Sequence, residues 1–237
     1  MSTSGQPSTL GLRSLPLFAG LAEERLEAIA RTCAWRNHQA GAQVLTRELR
    51  DRDVYFVVSG RLRVTIYSAA ERQVTFRECA AGEFFGEVAA IDGMPRSADV
   101  VALEGSLLAS IPAGEFRRLL REEPVLAERV LRRLASLVRR LSERVIDLST
   151  LGVHHRIHGE LLRLAREAGV EGNVARIDPA PTHADFASQV STYREEVTRE
   201  LSALTKAGLV RKDGHALIVS DVGRLERMVH SEKGAGP

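Results

Sequence analysis

The chain has 237 residues, 27% of them charged and 44% hydrophobic, and its formal net charge is only +2. That is long enough for two domains with cores of their own, and bulk charge settles little: any nucleic-acid function must come from a local basic surface. No apolar stretch approaches about 18 residues and no hydrophobic signal core opens the chain, so the expectation is an intracellular, cytoplasmic protein with no membrane partner.

Residues 1–9, rich in Ser, Thr, Gly, Pro and Gln, read as a loose tail. A short helix is predicted near Glu23 to Thr32. From residue 40 to 111 the pattern turns to short β-branched runs between turn residues: Val44 to Thr46, Val54 to Val58, Arg61 to Ile66, Val74 to Glu78, Ala98 to Leu103 and Leu107 to Ile111. These spacings predict a β-roll or barrel, with Ser59-Gly60 as a tight hairpin because glycine accepts a positive φ. Two cysteines, Cys33 and Cys79, are too few for a disulfide framework or a thiolate cluster.

Within this region Phe85-Gly86-Glu87-Val88-Ala89-Ala90 is followed by Arg96-Ser97-Ala98. A glycine lets backbone amides approach an anion, and a short helix opening after it adds unpaired N–H groups. Arg96 supplies a guanidinium fork and Ser97 a hydroxyl. Glu87 would repel a phosphate unless it accepts a hydrogen bond from the ligand, for which a ribose 2′-hydroxyl is the natural donor. The set reads as a cyclic ribonucleotide site, the alternative being a structural Glu87–Arg96 ion pair.

From about Pro124 to Ser149 the period becomes helical. Ala127, Leu131, Leu134, Val138, Leu141, Val145 and Leu148 form a heptad seam, with β-branched residues at one position and Leu at the other, the pattern that favours a parallel pair of helices. Leu137 and Ile146 lie outside the seam and are compatible with packing on the helix's own domain. Gly152 follows as a candidate hinge. A helix is predicted from His155 to Ala168, and His154, His155 and His158 are expected to be surface or interdomain residues, with no metal site. After the loop Asp178 to Pro181, Thr182 to Gly208 has the form of a helix-turn-helix. Phe186, Ala187 and Val190 face inward from its first helix and Val197, Leu201 and Leu204 from its second, leaving Glu195, Arg199, Ser202 and Lys206 outward. Leu209 to Lys212 and Ala216 to Val219 flank Asp213-Gly214-His215, a hairpin signal that makes the motif winged. Arginine can bond guanine O6 and N7, and glutamate can accept from cytosine, but Thr192 and Glu195 also have capping-box spacing.

Gly82-Glu83-Phe84-Phe85-Gly86-Glu87 with Pro95-Arg96-Ser97-Ala98 resembles the phosphate-binding cassette of the cyclic-nucleotide-binding domain, and Arg194-Glu195-Glu196-Val197-Thr198-Arg199 resembles the start of the recognition helix in the same proteins. The chain is thus similar to the cyclic-AMP receptor protein (CRP/FNR) family of bacterial transcription regulators, in its cyclic-nucleotide-binding branch. The resemblance implies an α+β chain: a jelly-roll β-roll domain over 10–123, a dimerisation helix over 124–150, and a winged helix-turn-helix domain over 151–237. It implies a nucleotide site of Phe85, Gly86, Glu87, Val88, Arg96, Ser97 and Ala98, with Leu141 and Ser142 at the base-contacting positions. Leu141 departs from the family's hydroxyl, so cyclic AMP is the first expectation and cyclic GMP its rival. DNA contacts fall to Thr192, Arg194, Glu195, Thr198, Arg199 and Lys212, and the dimer seam to Leu131, Leu134, Val138, Leu141, Val145 and Leu148. The implied partners are a second copy, a pseudo-palindromic TGTGA-like operator and RNA polymerase. No catalytic set, metal or cofactor is expected beyond the nucleotide effector. No cysteine precedes Cys33 to hold an iron–sulfur cluster, and no histidine lies near Cys79 for haem. A nucleotide-independent regulator, or a regulatory subunit acting on a protein partner, are the other readings.

Overall fold

The computed structural model describes residues 3–4, 9–67 and 73–231. The chain divides into two compact units, Met1–Val138 and Arg139–Pro237. Most of the expected tail lies outside the described residues, but Thr3–Ser4 is a strand (β1) paired antiparallel with Arg36 and Asn37.

In the first unit, helices α1 (Thr9–Arg13) and α2 (Glu23–Thr32) precede strands β2 (Ala34–His38), β3 (Gln43–Leu45), β4 (Val54–Ser59), β5 (Arg61–Tyr67), β6 (Gln73–Ala80) and β7 (Phe84–Phe85). Helix α3 (Glu87–Asp92), strands β8 (Asp99–Ala102) and β9 (Ser106–Ile111), helix α4 (Ala113–Glu122) and the long helix α5 (Pro124–Thr150) follow. The strands form two antiparallel sheets, ordered β1-β2-β9-β4-β7 and β3-β8-β5-β6. All six predicted strands are present. The two-residue period explains how β4 serves two cores: Val54 and Phe56 join Trp35, Phe18 and the helices, while Val57 joins Leu62, Val100 and Phe85 in the second cluster. Phe18 meets Phe56 edge-on at 5.0 Å. Such a pair adds about 1 kcal/mol beyond area burial.

Ser59-Gly60 is not a hairpin. Strands β4 and β5 belong to different sheets, so the glycine turns the chain from one to the other. Its φ is +91°, and a Cβ there would lie 2.2 Å from Ser106 Oγ and 2.7 Å from the Gly105 carbonyl. Glycine is required by the close approach of β9, which the local sequence does not reveal.

The second unit contains the end of α5, helix α6 (Val153–Ala168), strands β10 (Val170–Glu171) and β11 (Val174–Ile177), helices α7 (His183–Gln189) and α8 (Arg194–Lys206), strands β12 (Val210–Asp213) and β13 (Ala216–Val219), and helix α9 (Val222–Ser231). Its sheet runs β10-β11-β13-β12, and Asp213 pairs with Ala216 around a two-residue loop at Gly214 and His215. This is the predicted wing. Phe186, Ala187, Val190, Val197, Leu201 and Leu204 all enter the core with Ile157, Leu161 and Leu225.

Two local readings need correction. Thr192 and Glu195 form no capping box: α8 starts one residue later than that spacing requires, Tyr193 is its N-cap, and no side chain caps it. Thr192 is itself buried, its N–H closing the turn on the Ala187 carbonyl. The cap forms instead on α7, where Thr182 Oγ1 accepts from the Asp185 N–H at 3.1 Å. Of the three histidines expected at the surface or between domains, His154 is exposed, but the surface alternative fails for His155 and His158, which are buried because they share the inward stripe of α6 with Leu161, Leu162 and Ala165.

Candidate functional site

The loop before β4 and the turn into α3 build an anion-binding corner. Gly86 has φ +86°, and a Cβ on it would lie 2.7 Å from both Arg96 Nη1 and the Asp53 carbonyl. Arg96, its side chain 2% exposed, donates from Nη1 to the Gly86 carbonyl at 3.1 Å and from Nη2 to the Asp53 carbonyl at 2.9 Å. The rest of the fork grips a carboxylate: Nη2 and Nε lie 2.9 and 3.3 Å from Asp51 Oδ1. Tyr55 donates from its hydroxyl to Asp51 Oδ2 at 3.1 Å, and its ring stacks on Phe85 at 5.2 Å. Burial, followed by Asp51, pushes the Tyr55 hydroxyl well above its usual range, so it stays a donor. The guanidinium that the sequence assigns to a phosphate is thus preset and bound to an anion of the chain's own. Gly86→Ala combines a left-handed φ with two clashes and is expected to destabilise the protein by about 1–3 kcal/mol, read as a lower thermal midpoint and lost nucleotide binding.

Glu87 is buried, with Arg77 Nη2 3.9 Å from its Oε1. It does not pair with Arg96. Arg77 also donates to the Phe84 carbonyl at 3.0 Å and lies 3.8 Å from Glu83, which accepts from Arg133 of α5 at 2.6 Å. Arg133 sits over the Phe84 ring at 5.3 Å. A chain of charges therefore runs from Glu87 to the long helix. Val88 and Ser97 are exposed, Ala98 packs against the second cluster, and Phe85 is a fully buried support. Sequence reading missed Asp51, Tyr55, Arg77 and Arg133. The acidic-basic run Arg50-Asp51-Arg52-Asp53 ahead of an apolar strand was the one available signal.

Along α5, Leu131, Val138 and Val145 are 65%, 62% and 62% exposed, one every seven residues, and Leu148 is exposed too. Leu134 packs against the first unit's core, Leu141 is half-buried and Ser142 is exposed.

In the second unit, Arg194, Glu195, Thr198 and Arg199 lie exposed along α8, with Arg199 3.3 Å from Glu196. Lys212 is exposed on the wing. The turn between α7 and α8 is held from behind: Arg144 of α5 donates to the Gln189 carbonyl at 2.9 Å and Ser191 Oγ at 2.8 Å, and Arg156 donates to the Val190 carbonyl at 3.1 Å. Ser191, where this motif commonly has glycine, keeps the left-handed φ of +54°. Glu200, on the inner face of α8, is bonded by His154 and by His158, the latter at 2.6 Å. Burial alone would raise its carboxyl, but the bonds from His158 and His154 hold it below the usual range. Among the described residues there is no group of three or more metal-ligating side chains and no helix long and apolar enough to cross a membrane. Cys33 and Cys79 are buried thiols, each pushed up to about 12 by burial.

A β-roll carrying an anion corner, followed by a long helix and a winged helix-turn-helix, defines a ligand-binding transcription regulator. Residues 35–123 match the cyclic nucleotide-binding domain and residues 155–228 the Crp-like helix-turn-helix domain. The chain is 29% identical over 220 residues to the cyclic AMP receptor protein of Thermus thermophilus, covering 92% of this chain and 98% of that one. It is 24% identical over 212 residues to the CRP-like cAMP-activated global transcriptional regulator of Mycobacterium tuberculosis, covering 89% and 95%. The c-di-GMP-responsive global regulator CLP of Xanthomonas campestris shares the fold, with a TM-score of 0.73 at 20% identity over 84% of this chain and 99% of that one. The chain belongs to the CRP/FNR family of transcription regulators.

Proposed function

We propose that the protein is a homodimer whose affinity for a pseudo-palindromic, TGTGA-like operator is set by a cyclic mononucleotide, cyclic AMP in first place and cyclic GMP as its rival. The observation that carries this reading is the Arg96 guanidinium, buried, fixed by two backbone carbonyls and aimed at a carboxylate that a cyclic phosphate can replace. Gly86 gives the ligand access, Glu87 accepts from the ribose hydroxyl and Ser97 adds a donor. The exposed row Leu131, Val138 and Val145 pairs with its copy. Arg194, Glu195 and Arg199 then read bases in successive major grooves, about 34 Å apart, while Lys212 holds phosphate and RNA polymerase is the downstream partner.

The first of the family's two hydroxyl positions on this helix is Leu141 here, the second being kept as Ser142, which removes one bond to adenine. For that reason guanine enters the test. Operator binding is measured without nucleotide and with cyclic AMP, cyclic GMP and cyclic di-GMP at one fixed salt concentration, since phosphate contacts make affinity salt-dependent. A rise of about 5- to 150-fold with a mononucleotide is expected, the usual range of allosteric coupling. Equal affinity in all four conditions removes the proposed control.

A further inference from the structure

The hydroxyl of Thr198 carries one proton, and the geometry fixes where it goes. Oγ1 lies 2.9 Å from the Arg194 carbonyl, one turn back on α8, and 2.7 Å from His183 Nδ1 at the start of α7. Two oxygens at 2.9 Å repel unless a proton lies between them, so Thr198 donates to the carbonyl and accepts from the ring. Nδ1 is therefore the protonated nitrogen of the neutral imidazole, and Nε2 carries a lone pair. The charged groups that act on this ring are Lys212 of β12 and Arg194 of α8, both cations. On its own element, Asp185 is engaged by Thr182, which donates to it at 2.9 Å. Three basic groups from α7, α8 and the wing thus share the exposed corner that carries Arg194 and Lys212.

A backbone phosphate is the ligand such a corner takes. Neutral His183 meets it badly, because a lone pair on Nε2 faces an anion; a second proton turns the same atom into a charged donor. We propose that His183 is a proton-linked DNA contact: binding of the duplex draws a proton onto Nε2, and the imidazolium with Lys212 holds one backbone phosphate. Thr198, expected from sequence to touch DNA, acts instead as the positioning residue that fixes the ring and its tautomer.

The direction of the pH dependence follows. In the free protein, burial first, then Lys212 and Arg194, keep the imidazole below its ordinary range. A phosphate reverses that preference and raises it. Between the free and bound values the complex takes up a proton, so affinity is highest on the acid side and falls as pH rises. Each unit by which the phosphate raises the value is worth about 10-fold in affinity per protomer.

This inference rests on DNA binding and is independent of the nucleotide reading. The full-length protein is titrated at constant salt and constant cyclic AMP, from about pH 6 to about pH 8, against a duplex with two TGTGA half-sites and against a mixed-sequence duplex of equal length. Wild type is expected to lose affinity as pH rises, with the same slope on both duplexes. His183→Gln, whose amide keeps a donor for Thr198, is expected to lose the slope, and His183→Arg to bind both duplexes with the acid-side affinity at every pH. A flat wild-type profile, a slope retained in His183→Gln, which assigns the proton to another histidine, or weak binding by His183→Arg overturns the proposal.

Discussion

Arg96→Ala is expected to lower cyclic AMP affinity by about 30- to 5,000-fold, and Asp51→Asn is expected to raise it. Truncating one member of a buried, hydrogen-bonded charge pair costs about 2–5 kcal/mol, and every 1.4 kcal/mol is tenfold. Arg96 meets that condition, since its side chain is 2% exposed and all three of its nitrogens have oxygen partners. The opposite sign at Asp51 follows from competition. Its carboxylate, 39% exposed, occupies the fork that the phosphate needs, and neutralising it removes about 1–2 kcal/mol of charge-assisted bonding that the ligand must otherwise displace. Tyr55 still has an acceptor in the amide, so the pocket wall is kept. Because Arg96 also braces Gly86 and Asp53, Arg96→Lys is measured alongside: it keeps the charge, loses the fork, and is expected to fall between alanine and wild type. Calorimetry with cyclic AMP reads all three. Unchanged affinity in a folded Arg96 variant, or weaker binding by Asp51→Asn, removes the phosphate role of this corner.

How much of this was legible depends on whether a feature is local in the chain. The strands from Val44 to Ile111 announced themselves as β-branched runs between turn residues, and Phe186, Val197 and Leu201 by helical period, because each pattern is set within one element. The Gly86 turn was equally visible, since its left-handed backbone already demands glycine before the crowding by Arg96 and the Asp53 carbonyl is counted. Gly60 misled for the converse reason: its constraint comes from β9, some 45 residues away in sequence, and a corner between sheets and a hairpin use the same residue. Asp51 showed only the weak signal of its charged run on the same ground, being brought to Arg96 by the antiparallel pairing of β4 and β7. A one-residue shift at the start of α8 was enough to undo the Thr192–Glu195 cap, and it leaves Glu195 exposed beside Arg194. His158 was misread because its partner Glu200 sits at a position that looks like part of a charged helix surface and is in fact folded inward. Helices α4 and α9 carry a clear amphipathic period over ten residues each and were passed over, while β11 has only four residues in which to show one.

Val138→Glu is expected to convert the protein to a monomer and lower its affinity for a two-half-site operator by about 100- to 10,000-fold, the usual gain from linking two binding modules. Magnitudes decide why one residue suffices. Leu131, Val138 and Val145 are about two-thirds exposed in the single chain, so burying them from two copies gains about two-thirds of the full value of roughly 1.5–3 kcal/mol each, or about 6–12 kcal/mol in all, against an association cost of about 4–15 kcal/mol. The margin is small, and a twofold interface counts each substitution twice: two apolar contacts are lost and two carboxylates are brought together at the axis. The side chain is 62% exposed in the single chain, so the substitution leaves each unit's own core intact. Sedimentation reads the oligomeric state, and a duplex with one half-site supplies the control. Wild type and variant are expected to bind that shorter duplex equally, because Arg194 and Arg199 are untouched, and to differ only where two half-sites must be held at once. A variant that stays dimeric places the contact between copies somewhere other than this row, and one that loses the single half-site as well shows that the fall in affinity does not come from unlinking two copies.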